Sequence, residues 1–341
     1  MPLLDTGYHH YDDTYRGVWY RRAVISGAGI RILLATPWVK RIVGFAWILC
    51  LVQVAVLFFV GQLLVPDSLA FELIGRMGRG ERNFFGGFTD WLREHPEVSV
   101  HTVYNFLFFQ YSTFLSLLGF VVLSVVVPQM VTVDFSSRAL LVYSSKALNR
   151  FDYLLGKFGI AFGILACIWL GPLLAAWLLG NLLSPDWTFM LHSSRALLNM
   201  VCYVGVSMIT MSVIALAVSA CSAKEKGSTA LWIGVWIFGG MFGKIGSFTQ
   251  PWLQNISLSH NLHQLAVWSF NLKRDMIAAG EVIPAIGQAF RQLERMPGFR
   301  RPPVIGEIVN EPALQGALVG LILMLGIAAL IISRRVRPES T

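Results

Sequence analysis

The sequence predicts an all-α polytopic membrane protein, and three observations carry that reading. Of 341 residues, 55% are hydrophobic and only 13% charged, with a mean hydropathy of +0.61. Ordinary water-facing chains carry roughly 25% charged residues, so too little charge is present to solvate a surface. Six charge-poor apolar runs are each long enough to cross a hydrocarbon core, which takes roughly 20 helical residues. Finally, the net charge of +8 gathers on one side of the topology that those runs define. That placement makes it an orientation signal rather than a nucleic-acid footprint, and no nucleic-acid partner is expected.

Residues 1–41 are read as a cytoplasmic tail followed by an interfacial helix. The opening stretch 1–13 holds three aspartates and no basic residue, which argues against a secretory signal peptide. Residues 23–39 are apolar but are cut by Arg31 and flanked by Arg21, Arg22, Lys40 and Arg41. Such a stretch is too short and too charged to span, and reads as a helix lying on the membrane surface. Gly27 and Gly29 weaken it.

The spans follow over 42–64, 103–127, 158–183, 196–220, 230–248 and 313–333, together a transmembrane domain over 42–333. Pro172 removes a backbone donor inside the third and should kink it. The fifth is the least apolar, with Lys244 near its end and Gly234, Gly239, Gly240, Gly243 and Gly246 along it. Glycines four apart, at Gly159 and Gly163, Gly239 and Gly243, and Gly316 and Gly320, allow close backbone approach within one bundle.

Even span number puts both termini on one side. The segments on that side (1–41, the inner loop 128–157, 221–229 and the tail 334–341) hold 15 Lys or Arg against 7 Asp or Glu. The opposite segments (outer loops 65–102 and 249–312, and 184–195) hold 11 against 12. The positive-inside rule therefore places both termini in the cytoplasm. Loop 249–312 is expected to form short helices over 262–276 and 283–295, interrupted by the proline tract 297–303. Phe84, Phe85, Phe88 and Trp91 suit loop 65–102 to the outer leaflet, as loop 249–312 is also expected to be. Cys50, Cys167, Cys202 and Cys221 lie in spans or at an inner edge, so neither a disulfide nor a cysteine metal cluster is expected.

Ion-coupled carriers need an ionisable group near the bilayer midplane, and no span interior holds Asp, Glu, Arg or His. Gln53, Gln62, Asn105, Gln110, Asn181 and Asn199 are neutral and read as helix-to-helix hydrogen-bonding groups. The tract 239–244 lacks the spacing of a phosphate-cradling loop, and no metalloprotease or nucleophile-elbow motif occurs. His260 and His263 stand three apart, a spacing that can present two imidazoles to a metal. No further ligand follows at suitable spacing, since Asp275 is twelve residues on. They read as interfacial polar residues, and energy for any transport is expected from a partner.

The most distinctive segment is the inner loop. After the second span come Asp134-Phe135-Ser136-Ser137-Arg138-Ala139-Leu140-Leu141-Val142-Tyr143-Ser144-Ser145-Lys146-Ala147-Leu148, and then Tyr153-Leu154-Leu155-Gly156-Lys157. This segment resembles that of the type-2 ATP-binding-cassette (ABC) permeases, the membrane subunits of exporters that lack their own ATPase domain. Asp134 takes the family's acidic place, 138–145 the short helix, and Tyr153 to Lys157 the entry to the third span; the family's proline is Ala147 here. The amino-terminal surface helix, the six spans and the large outer segment before the last span are similar in layout.

The resemblance implies a half-transporter in a bacterial-type inner membrane, working as a homo- or heterodimer on two cytosolic ATPase subunits. ATP and magnesium would be bound by those partners, with no cofactor on this chain. A coupling helix over about 136–148 would contact the ATPase through Asp134, Ser136, Arg138, Leu140, Leu141, Tyr143, Ser144, Lys146 and Leu148. A substrate path is expected along the second span, where Tyr104, Asn105, Gln110 and Tyr111 mix aromatic and hydrogen-bonding groups. Two other readings stand beside it. A non-transporting scaffold or assembly factor would share the spans without an ATPase, and a lipid-acting enzyme would draw on Glu72, Glu81, Asp90, His95, His260, His263 and Asp275 in the outer loops.

Overall fold

Without water to satisfy backbone N–H and C=O groups, an apolar segment must close its hydrogen bonds within itself. The computed structural model describes residues 17–63, 65, 79–137, 149–184, 186–248, 250–295 and 312–336, and among these no strand occurs. The helices are α1 (Val18–Ala35), α2 (Pro37–Gln62), α3 (Arg79–Glu94), α4 (Pro96–Val126) and α5 (Thr132–Ser136). They continue as α6 (Arg150–Leu182), α7 (Thr188–Cys221), α8 (Glu225–Phe248), α9 (Leu258–Phe270), α10 (Leu272–Val282), α11 (Pro284–Arg295) and α12 (Leu314–Arg335). Six of them, α2, α4, α6, α7, α8 and α12, are long and apolar enough to cross a membrane. The chain has the make-up of an integral membrane protein.

Five of the six spans start ahead of their apolar runs, and in α4 and α7 the local cause is visible. α4 begins at Pro96, ahead of residue 103, because Pro96 is preset for a first helical turn and Glu97 favours the helix dipole there. α7 begins at Thr188 rather than 196: the Asp186 carboxylate accepts the Thr188 N–H at 3.3 Å and its hydroxyl at 2.8 Å. Such local polar chemistry extends a helix past the end of its apolar run.

α7 is the axis of the bundle. Of its most apolar stretch 67% is buried, against 28% for α2, 22% for α12 and 17% for α8. It packs on α4, α6, α9 and α12, and Phe108, Trp169, Met200, Val204 and Met208 are fully enclosed. The peripheral spans turn large apolar side chains outward, among them Leu51, Phe238 and Ile322, as a hydrocarbon surround requires.

α1 is a helix packed along the first half of α6. Thr36 leaves helical geometry (φ −69°, ψ 126°) ahead of Pro37, whose ring disfavours a helical predecessor, so α1 and α2 are separate. Gly159 lies against Ser26 and Gly163 against Ile30, so a Cβ at either would collide with α1. The Ser26 hydroxyl donates to the Gly156 carbonyl at 2.9 Å, and Arg22 Nε donates to Asp152 Oδ1 at 2.7 Å. One glycine pair expected to permit close approach thus receives α1.

The other two pairs receive the segment after α8. Ser257 sits over Gly239 and Gly243 of α8, while Asn255 and Asn261 lie against Gly316 and Gly320 of α12. The Asn261 amide donates to the Asn255 carbonyl at 2.8 Å, holding this wedge together. Beyond it, the expected single helix over 262–276 is two helices meeting at Asn271. That residue is left-handed (φ 43°, ψ 47°) and donates its N–H to the Val267 carbonyl at 3.0 Å. Asparagine tolerates this conformation better than other non-glycine residues, which makes it a serviceable helix stop. α10 and α11 form a hairpin, whose Ala279 and Ile283 bury Trp91 of α3 in a small core of their own.

Ahead of Pro172 the third span widens. Residues Ala166–Leu170 form a widened π turn, and Gly171 N–H bonds the Ala166 carbonyl. The next such bond would run from residue 172 to the Cys167 carbonyl, but proline has no N–H. The Trp47 indole of α2 fills the vacancy, donating to Cys167 O at 3.1 Å.

Candidate functional site

Two polar centres stand at opposite ends of α4. The first grows from the turn after it. Ser219, near the end of α7, accepts the Val131 and Thr132 N–H groups at 2.9 and 3.1 Å, and the Thr132 hydroxyl donates to the Ser219 carbonyl at 2.8 Å. These bonds pin the short α5 and carry Asp134 into the interior. There Asp134 Oδ2 accepts the Tyr153 hydroxyl at 2.6 Å and pairs with Lys157 Nζ at 2.7 Å, the two charged side chains being only 9% and 10% exposed. Asp134 and the Tyr153 to Lys157 segment, separated in the sequence, are one cluster in space.

The neighbouring residues extend this footing. Arg150 Nη2 donates to the carbonyls of Ile332 and Ser333 at 2.9 and 2.7 Å. Those belong to the last turn of α12, where Ile332 O also accepts the Val336 N–H at 3.2 Å. With the Arg22–Asp152 ion pair, the two roots of loop 138–148 are fastened to α1, α6, α7 and α12. Ser136 is exposed and donates to the Val133 carbonyl at 2.9 Å. Arg138, Leu140, Leu141, Tyr143, Ser144, Lys146 and Leu148 lie outside the described residues. Chemically the cluster is a buried ion pair hydrogen-bonded to a tyrosine, suited to fixing geometry.

The second centre surrounds Asn105. Its Nδ2 donates to the Phe270 carbonyl and to Asp275 Oδ2 at 2.7 Å, and its Oδ1 accepts from Asn199 Nδ2 at 3.4 Å. Ser269 Oγ donates to the Asn199 carbonyl at 3.1 Å, and His101 Nε2 lies 3.8 Å from Asp275 Oδ2. Burial pushes the Asp275 carboxyl above its ordinary value, opposed by the Asn105 hydrogen bond and by the charges of His101, Arg274 and Arg195. Beside this network opens a cavity of ≈ 700 Å³, whose charged and imidazole lining comes from Glu97, His101, His192, Arg195, Arg274 and Asp275.

The expected path residues diverge. Asn105 serves the network just described, whereas Tyr104 is buried on the far side of α4, its hydroxyl near Gly180 and its ring 6.0 Å from that of Phe108. Successive helical residues point about 100° apart, so this split follows from their adjacency. Gln110 and Tyr111 are half-buried further along, and none of the four lines the cavity. The sequence reading named Asp275 only as an outer-loop residue for a lipid-acting enzyme, not as a partner of Asn105, and it missed His101. The available signal was Asn105 itself, since a buried amide in an apolar run demands partners.

His260 and His263 lie on α9, the latter with its ring 6.1 Å from that of Phe109. Burial lowers the pKa of both, and the charge of His263 lowers that of His260 further. Among the described residues no three His, Cys, Asp or Glu side chains are grouped to hold a metal. Asp90 and His95 are exposed; Glu72 and the Glu81 side chain lie outside the described residues. Cys50 is buried, Cys167 half-buried, and Cys202 and Cys221 are exposed; all four are free thiols. No protein-family model matches the chain, and no curated protein matches it either.

Proposed function

We propose that this chain is the permease subunit of an ATP-driven exporter of the type-2 ABC kind, worked by a separate cytosolic ATPase. The supporting observation is the Asp134–Tyr153–Lys157 cluster. A loop that receives force from a partner is useful only if its roots are stiff, and a dissipating hinge at either root would waste the motion. Here the root before 138 and the root after 148 are joined by a buried ion pair and tied to four helices. Tightly packed elements move as rigid bodies rather than deform, so displacement of 138–148 would be passed to α6 and α7 together. Desolvating two charges is costly, and a merely solvated connecting loop has no need of it.

In this reading the cluster faces the cytoplasm of a bacterial-type inner membrane, with both termini on that side. The permease works as a dimer with itself or a relative, and ATP and magnesium are held by the ATPase. The test is purification of the tagged chain with its partners from host membranes. An ATPase carrying a phosphate-binding loop should accompany it, with vanadate-sensitive hydrolysis. Deleting 138–148 should release the ATPase while the permease still inserts. A purified complex without any such ATPase would turn the reading toward a scaffold or assembly factor.

A further inference from the structure

The cavity beside Asn105 combines features that none of the roles above uses. Arg195 of α7 and Arg274 of α10 both line it, both are exposed, and neither forms an ion pair within 4.0 Å among the described residues. Asp275, the acid on the same wall, is already engaged by Asn105 and His101. Two guanidinium forks are donors that match the oxygens of a phosphate.

The remaining wall is of opposite character. Val98, Leu198 and Trp268 line the same cavity and are 41%, 62% and 53% exposed. Leu198 stands on a span, so this apolar lip faces where lipid chains would lie. Glu97 stands at the same cavity, exposed and without an ion pair among the described residues, and so supplies a carboxylate for a cation. At ≈ 700 Å³ the space is of the size that holds small ligands.

From these features we infer that the cavity binds a zwitterionic phospholipid headgroup. Its phosphodiester meets Arg195 and Arg274, its ammonium meets Glu97, and its chain lies over Val98, Leu198 and Trp268. The inference stands on the cavity alone: loss of the ATPase reading leaves it intact, and its own failure leaves that reading intact.

Cys202 makes the test possible, because it is exposed at the same cavity, while Cys221 is exposed at the far end of α7. The full chain in a neutral maltoside detergent is alkylated with a maleimide, and both sites are followed by peptide mass spectrometry. Lysophosphatidylethanolamine is expected to slow Cys202 but not Cys221. Monoacylglycerol, which lacks the phosphate, and phosphoethanolamine, which lacks the chain, should each protect far less. R195Q/R274Q should weaken protection by about tenfold or more, the scale of lost charge-assisted contacts. Its thermal midpoint should match the parent, since both arginines are exposed. Glu97→Gln should weaken protection by lysophosphatidylethanolamine and spare that by lysophosphatidylglycerol.

Equal protection in R195Q/R274Q, or by monoacylglycerol, would overturn phosphate recognition. Equal protection by phosphoethanolamine would make the ligand a soluble phosphate compound instead. Equal loss for both lipids in Glu97→Gln would overturn the ammonium assignment. Failure of Cys202 to react in the lipid-free protein would show a closed cavity and end the proposal.

Discussion

At the scale of single residues, the Asp134–Lys157 pair has the largest energetic consequence. Both side chains are about nine-tenths enclosed, and Asp134 Oδ2 serves Lys157 and Tyr153 at once. Lys157→Met leaves a buried carboxylate with one neutral donor, a change worth about 3–5 kcal/mol. Asp134→Leu strands the ammonium in the same way. The double variant D134L/K157M removes both charges, so it should lose markedly less stability than the two single losses added together. Thermal or denaturant unfolding of the four proteins in detergent measures the cycle, and additivity would mean that the pair is not coupled. The motif makes Asp134 and Lys157 visible in the sequence, but their meeting depends on Ser219, a cap from a helix more than eighty residues later. A local reading has no access to such a cap. The meeting of Asp275 with Asn105 was hidden for a related reason: Asp275 sits in a long outer segment, and only the bend at Asn271 carries it to Asn105.

At the scale of elements, small residues announced close contact without naming the partner. A glycine pair four apart presents a smooth groove, and that groove accepts a span, a surface helix or an irregular wedge equally well. Here α1 takes the groove of α6, and the segment around Asn255 to Asn261 takes those of α8 and α12. Gly159 offers the sharpest test, because Ser26 leaves no room for a Cβ there. Gly159→Leu should push α1 off α6, breaking both the Ser26–Gly156 hydrogen bond and the Arg22–Asp152 pair while the apolar spans remain inserted. Trypsin should then cut after Arg21 and Arg22 several-fold faster than in the parent protein. An unchanged cleavage rate would mean that α1 is held by something other than this groove. The split at Asn271 illustrates a second limit on local reading. Asparagine stops a helix only when context selects its left-handed form, whereas Pro172 acts wherever it stands.

At the scale of the whole molecule, the number of spans was legible because crossing a bilayer is a matter of length and composition. The arrangement of those spans was not. Lipid chains are as apolar as a protein core, so helices in a bilayer need no polar outer face and show little periodic contrast between buried and exposed sides. Leu51 and Leu57 of α2 have the same chemistry, yet one is 63% exposed and the other 4%. Orientation, by contrast, is written in charge. The end of the bundle bearing Asp134 also carries Arg150, Lys157, and Arg334 and Arg335 in the last turn of α12. The other end carries Glu97 and Asp275 beside Arg195 and Arg274. Placing the first end in the cytoplasm satisfies the positive-inside rule and exposes loop 138–148 to cytosolic partners. Asp90 on α3 and Glu225 at the start of α8 are exposed at the two ends, so cysteines there report the orientation in a C202S/C221S background. In intact spheroplasts an impermeant maleimide should label Asp90→Cys at once and Glu225→Cys only after permeabilisation. The reverse pattern would place loop 138–148 outside the cell, where no ATP-hydrolysing subunit could reach the Asp134–Lys157 footing, and coupling through that loop would be ruled out on geometry alone.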